Sequence, residues 1–233
     1  MNPTLFGIEH ILYIIISTLI GSLVIIISYK CAKTDKSEKI ILKLFAAILL
    51  ISIMTNRLSQ VFRYDTIRWY CIIPDSYCGM TSLVLSLAVL FGKKDNGVLH
   101  FVWHLGIFGG ISTVIYASFV GQGPTIFYLP TISGLLHHSF SAILVVLLLM
   151  FKQIEITYKK WYYTLFGFTC YLTVGAFLME MFNLRDAFHI AEPLISGTNL
   201  TTWVMAPMYA TAYSCILFVV EVLNKKYSLT SKN

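Results

Sequence analysis

Two adjacent histidines, His137 and His138, stand at the head of the run AILVVLLLMF, where almost every neighbour is apolar. An imidazole in such surroundings either donates a hydrogen bond to a neighbouring helix or, because its charge changes near neutral pH, exchanges protons in a wet pocket. Side chains with related chemistry recur elsewhere: Glu9 and His10; Asn56, Arg57, Gln60 and Arg63; Asp75, Ser76 and Cys78; Glu180 and Asn183. His100 and His104 have the i, i+4 spacing of a helical metal-binding pair. Phe101, however, stands where a zinc hydrolase carries its glutamate, and there is no third ligand in sight. That pair reads as structural, and no metal is expected.

The elements that position these residues follow from composition. Hydrophobic residues make up 57% of the 233 and charged residues only 12%, against about 25% charged in soluble domains; the mean hydropathy is +0.75. The chain is therefore a membrane protein. With no linker-like block, residues 1–233 read as one transmembrane helical-bundle domain. Runs of about 20 apolar residues, enough to cross ~30 Å of hydrocarbon as helix, fall at 8–29, 40–62, 74–91, 98–119, 130–151, 161–182 and 203–223. Helix is the only choice, because lipid leaves backbone polar groups no external partner and the alternation of a barrel strand is missing. The expected fold is thus all-α, with seven transmembrane helices. The third run begins at Pro74, so its outer end is expected to be irregular.

Charge orients the bundle. The loops after spans one, three and five and the tail after span seven hold Lys30, Lys33, Lys36, Lys39, Lys93, Lys94, Lys152, Lys159, Lys160, Lys225, Lys226 and Lys232, and the opposite side only Arg63, Arg68 and Arg185. The positive-inside rule then places the N-terminus outside and the C-terminus in the cytoplasm of a multi-pass cell-membrane protein. The same loops account for the net charge of +6. They suit anionic lipid headgroups, so membrane lipids are expected partners and nucleic acid is not. The opening MNPTLFG lacks a basic n-region and no small-residue cleavage site follows, so span one reads as a retained helix. The five cysteines are scattered; Cys71 and Cys78 would lie ~10 Å apart along a helix, beyond disulfide reach. Gly106, Gly109 and Gly110 suit close helix contact, and Glu221 with Lys225 reads as a surface helix pair.

With this threading, Glu9, His10, Asn56, Arg57, Gln60, Asp75, Cys78, the two histidines and Glu180 all fall in the outer half. Ionisable groups inside a membrane usually face the bundle interior or a wet cavity, so an outward-facing polar pocket is expected. Asn56, Gln60 and Arg63 share one helical stripe, while Arg57 is rotated by ~100°. His137 and His138 are likewise ~100° apart, so at most one is expected to point at a common centre, the other bonding a neighbouring helix. The duller readings are that Arg57 and Arg63 snorkel to the headgroups, that Glu9 and His10 sit at the interface, and that each histidine is a satisfied interhelical donor.

The segments FGIEHILYI, IPDSYC, LGIFGGISTVIYAS, LLHHSF and SGTNLTTW, in this order and spacing, together resemble the YwaF-like integral membrane proteins, a family similar to a eukaryotic transmembrane acyltransferase that remodels phospholipids through a cysteine. The resemblance implies a thiolate that takes an acyl chain from one lipid and passes it to a lysolipid hydroxyl. Cys78 would be the nucleophile, His137 or His138 the base, and Asn199 an orienting or oxyanion-type donor. The chain departs from the family where the third span usually reads P-x-H: Ser76 stands there, beside Asp75. No cofactor is expected, since no Gly-rich phosphate loop is present. The other class is a carrier or binding protein in which Glu9, Arg57, His137 and Glu180 hold a small polar solute or ion.

Overall fold

The computed structural model describes residues 2–63, 65–195 and 197–230, with side chains through residue 223. Among these there are seven α-helices and no strand: α1 (Ile8–Cys31), α2 (Asp35–Val61), α3 (Tyr77–Phe91), α4 (Gly97–Ile115), α5 (Leu129–Met150), α6 (Tyr162–Phe182) and α7 (Thr202–Thr230). Among the described residues five helical stretches are long and apolar enough to cross a membrane: Ile8–Cys31, Gly97–Ile115, Leu129–Met150, Tyr158–Phe182 and Thr202–Leu223. The class is all-α, of the polytopic membrane kind. The chain divides into two compact units, residues 1–153 and 154–233.

In the first unit α5 is central, packing on α2 and α4, while α3 lies against α2 and α4, and α1 lies along α5. Much of α1 stays uncovered, with Ile8, Leu19 and Leu23 all exposed, as a lipid-facing helix should be. Helix ends depart from the apolar runs where polar residues set them. Helix α2 begins at Asp35, five residues before the run. Thr34 and Ser37 form a reciprocal capping box there, with Ser37 N–H donating to Thr34 Oγ1 at 3.2 Å and Thr34 N–H to Ser37 Oγ at 2.9 Å, satisfying two donors that would otherwise be orphaned. Helix α3 starts at Tyr77 and not at Pro74, because Ser76 is its N-cap and accepts the Gly79 N–H at 3.3 Å. Its 15 residues span only about 22 Å. Helix α4 ends at Ile115, short of the expected 119. Residues 116–128 instead form a connector in which Ala117, Val120 and Ile126 pack on Leu135 of α5.

Close approach of α4 to α5 and α3 depends on glycine. A Cβ at Gly110 would lie 2.7 Å from the His138 carbonyl oxygen, and one at Gly106 3.0 Å from Val145. His100 and His104 are both buried; His100 Nε2 meets Asp95 Oδ1 at 2.7 Å, and His104 packs edge-on to Phe101 and Trp103.

In the second unit α6 and α7 pack on each other. Asn183 closes α6 in the left-handed conformation, and Phe188 of the following loop is buried against Tyr171 and close to Gly175. The Asp186 carboxylate accepts the Ala191 N–H at 2.8 Å, and Thr202 ties the start of α7 to the loop through the Phe188 carbonyl. Arg185 pairs with Glu192. Glu221 Oε2 accepts both Thr157 Oγ1 at 3.0 Å and the Tyr158 N–H at 3.1 Å, so it anchors the lead-in to α6. The Lys225 side chain of the expected surface pair and that of Lys226 lie outside the described side chains, and Lys232 lies outside the described residues.

Candidate functional site

Asn56, Arg57 and Gln60 from α2, Ser76 and Gly79 at the start of α3, Gly134, His137 and His138 from α5, and Phe119 and Gln122 from the 116–128 connector line one cavity of about 170 Å³. All belong to the first unit. Residues of α2, α3 and α5 thus converge on one cavity.

Both histidines face this cavity, correcting the expectation that at most one could. The cavity lies along the seam of α5 with two other helices and a connector, so its mouth spans the ~100° that separates adjacent helical positions. The rings lie 4.1 Å apart, centroid to centroid, tilted by 33°. His137 Nδ1 lies 3.1 Å from Ser82 Oγ of α3. The His138 ring stacks on Phe119 and hydrogen-bonds the backbone of Gly109 in α4. His138 therefore does both of the things considered for it: it bonds a neighbouring helix and lines the pocket.

Arg57 is buried, so it does not snorkel. Its Nε donates to the Cys71 carbonyl at 2.8 Å, and its Nη1 lies 3.4 Å from Asp75 Oδ1. A buried cation needs such partners, and here they pin the connector between α2 and α3 onto α2. Its long side chain brings it to the cavity although its Cα is rotated away from the Asn56–Gln60 stripe. Asn56 Nδ2 donates to the Pro130 carbonyl at 2.9 Å and to Ser133 Oγ at 3.2 Å, which locks α2 to the head of α5. Arg63 reaches Gln122 Oε1 at 2.9 Å, so the end of α2 also holds the connector that covers the cavity.

Cys78 lies one helical turn before Ser82 on α3. Its sulfur is 3.8 Å from Thr113 Oγ1 of α4 and so close to Gly109 that a Cβ there would be 3.1 Å away. Gly109 is thus touched by the Cys78 sulfur and hydrogen-bonded by the His138 ring. Ser76, standing where the P-x-H pattern has histidine, serves as the α3 cap. Cys71, in the connector before α3, is half-buried. Burial pushes its thiol above the ordinary cysteine range; the nearby Arg57 pulls it down and Asp75 pushes it up.

Two other expected pocket residues of the first unit, Glu9 and His10, do not line this cavity. Glu9 Oε2 accepts the Ile126 N–H at 2.9 Å and borders an apolar groove of about 480 Å³ between α1 and α5. His10 is fully buried. Its Nδ1 accepts the Phe6 N–H at 3.1 Å and its Nε2 donates to the Val114 carbonyl at 3.0 Å, so it satisfies a carbonyl at the C-terminal end of α4. Glu180 and Asn199 are exposed residues of the second unit. Sequence reasoning did not single out Ser82, Thr113, Phe119 or Gln122. Ser82 carried a signal, four residues after Cys78 and hence on the same helical face; the other three depend on how the connector and α4 fold back. Among the described residues no group of three or more His, Cys, Asp or Glu has metal-binding geometry.

Residues 5–223 match the family model described as the TMEM164 family. Neither the curated proteins nor the solved structures include a match to the chain.

Proposed function

The chain belongs to the TMEM164 family of transmembrane proteins, and from that premise we propose that it is a YwaF-like membrane enzyme that moves an acyl chain between phospholipids through the Cys78 thiol. The observation that carries this reading is the shared neighbour Gly109, with the Cys78 sulfur against it and the His138 ring bonded to its backbone. Catalytic hydrogen bonds in the ligand-free state are often made only when substrate arrives. In this scheme the His138 ring keeps its N–H on the Gly109 carbonyl, and its other nitrogen takes the thiol proton once substrate brings the two side chains together. The thiolate attacks the ester carbonyl of the donor lipid, the carbon–oxygen bond breaks, and the departing lysolipid oxygen takes the proton from His138. The resulting thioester is attacked by the hydroxyl of an acceptor lysolipid, with His138 as base, and the thiolate leaves and is reprotonated. His137, held by Ser82, and the Arg57 cation line the adjoining cavity, where a positive charge favours a developing oxyanion.

The second reading is a binding or transport site for a small polar solute or ion, and it is favoured by Arg57, Gln60, His137 and His138 lining one cavity. A single experiment separates the two. Purified protein in nanodiscs is given an isotopically labelled phospholipid and an unlabelled lysolipid, and label transfer is followed by mass spectrometry. The acyltransferase reading predicts transfer by the wild type and none by Cys78→Ala. Transfer that survives this substitution removes Cys78 as nucleophile. Absence of transfer together with saturable, pH-dependent solute binding that Arg57→Gln weakens supports the second reading.

A further inference from the structure

The lysine-rich end of the first unit carries a second cavity, remote from the histidines. It has a volume of about 440 Å³ and is bordered by Lys39 and Lys43 of α2 and by Lys93 and Lys94 just after α3. Lys93 is 15 residues after Cys78 along α3 and the short loop beyond it, which puts the cavity roughly 20 Å from the sulfur. Its lining is part apolar: Ala88 and Val89 are half-buried there, beside Leu42, Leu99 and Leu148, which are already buried. Asp35 and Glu38 share the lining, so four lysines and two carboxylates border the cavity, an excess of two positive charges. Glu38 is further engaged by the Gln153 amide at 3.5 Å.

A cationic rim over an apolar floor, at the ends of helices that cross a membrane, matches one kind of molecule. It must carry a phosphate to meet the lysines and a hydrocarbon chain to cover Ala88 and Val89. We propose that this cavity is a binding site for an anionic phospholipid of the leaflet at that end. The lysine-bearing loops in general attract anionic lipid diffusely; the concave grouping of four lysines from two separate segments around one apolar floor holds a single headgroup in place. A free phosphate would satisfy the rim but not the floor.

Native mass spectrometry of the full chain, released from micelles doped with either phosphatidylglycerol or phosphatidylcholine, tests this. The wild type is expected to retain one phosphatidylglycerol under conditions that strip phosphatidylcholine. Replacing Lys39, Lys43, Lys93 and Lys94 by Gln is expected to lower retention about tenfold or more, since each lysine near an anionic surface contributes measurably. Replacing Lys30, Lys33, Lys36 and Lys159, which carry the same charge but do not line the cavity, is expected to leave retention unchanged. Asp35→Asn should raise it, which keeps the test informative if the fourfold variant misfolds. Equal loss in both fourfold variants would reduce the site to bulk charge, and retention of phosphatidylcholine as strongly as phosphatidylglycerol would overturn it. Full displacement by millimolar inorganic phosphate would mean that the apolar floor contributes nothing and would also overturn it. Retention in Cys78→Ala protein should match the wild type, so this result and the fate of the acyl-transfer reading are separable.

Discussion

Gly109 and Gly110 are neighbours on α4, yet adding one methyl group to each should have unequal consequences. At Gly110 the new Cβ would meet backbone, the His138 carbonyl oxygen at 2.7 Å and Ala142 N at 3.1 Å. A carbon–oxygen contact is ordinarily about 3.3 Å or more, so α4 and α5 must separate locally by roughly 0.6 Å. Close-packed helices resist such a shift, and overpacking of this kind costs about 1–3 kcal/mol. At Gly109 the Cβ would meet only the Cys78 sulfur, at 3.1 Å, and that side chain can rotate. Gly109→Ala should therefore cost about 0.5 kcal/mol or less after the helix-propensity gain of alanine over glycine offsets the contact. The assay is thermal unfolding in detergent. With about 2–4 °C per kcal/mol for a chain of this size, Gly110→Ala is expected to melt about 2–12 °C below the wild type and Gly109→Ala within about 2 °C of it. Gly109→Ala should still alter alkylation of Cys78, because the sulfur is what moves. An equal or larger loss of stability in Gly109→Ala would refute the reasoning that the α4–α5 approach is set by backbone contact at Gly110.

Three further outcomes follow from the same geometry. Arg57→Gln removes a charged hydrogen bond to the Cys71 carbonyl, worth about 1.5–3 kcal/mol, and a pair with Asp75, whose side chain is 47% exposed, worth about 1 kcal/mol or less. A double-mutant cycle with Asp75→Asn should show most of the loss in Arg57 alone; a coupling as large as the single-mutant loss would contradict this. The Cys71 thiol lies above the ordinary range because of burial, with Asp75 pushing the same way. Its alkylation should accelerate only as pH rises above the usual thiol region, and Asp75→Asn should move that rise to lower pH; an unshifted profile would count against the assignment. His10→Ala leaves the Val114 carbonyl and the Phe6 N–H without their partner, at about 1–3 kcal/mol each, so hydrogen exchange should quicken at residues 4–10 and at the end of α4.

The helical class and the seven segments could be read from the apolar runs because lipid forces each spanning segment to satisfy its own backbone. The ends could not, since polar caps such as Thr34 with Ser37, and Ser76, decide them by local hydrogen bonds that a hydropathy window averages away. The stripe of Asn56 and Gln60 was legible from helical period alone. Arg57 escaped that logic because its reach exceeds the rotation of its Cα, and His137 with His138 because the cavity they face is wider than one helical stripe. Ser82 could have been found as the residue one turn from Cys78. Phe119 and Gln122 could not, because they are brought over the cavity by the Ala117, Val120 and Ile126 cluster on Leu135, a tertiary contact with no periodic signature. Glu9 and His10 share the expected depth with the others but spend their polar atoms on Ile126, Phe6 and Val114.

The acyl-transfer account turns on whether the Cys78 sulfur itself carries the chain. Intact-mass measurement of the protein after incubation with a donor phospholipid and no acceptor reads this directly. The account predicts a mass increase of one acyl chain that hydroxylamine removes, that a lysolipid discharges, and that is lost in Cys78→Ala and slowed in His138→Gln. A chain that remains on the protein after Cys78→Ala, or no adduct in wild-type protein that nonetheless transfers acyl groups, would contradict it.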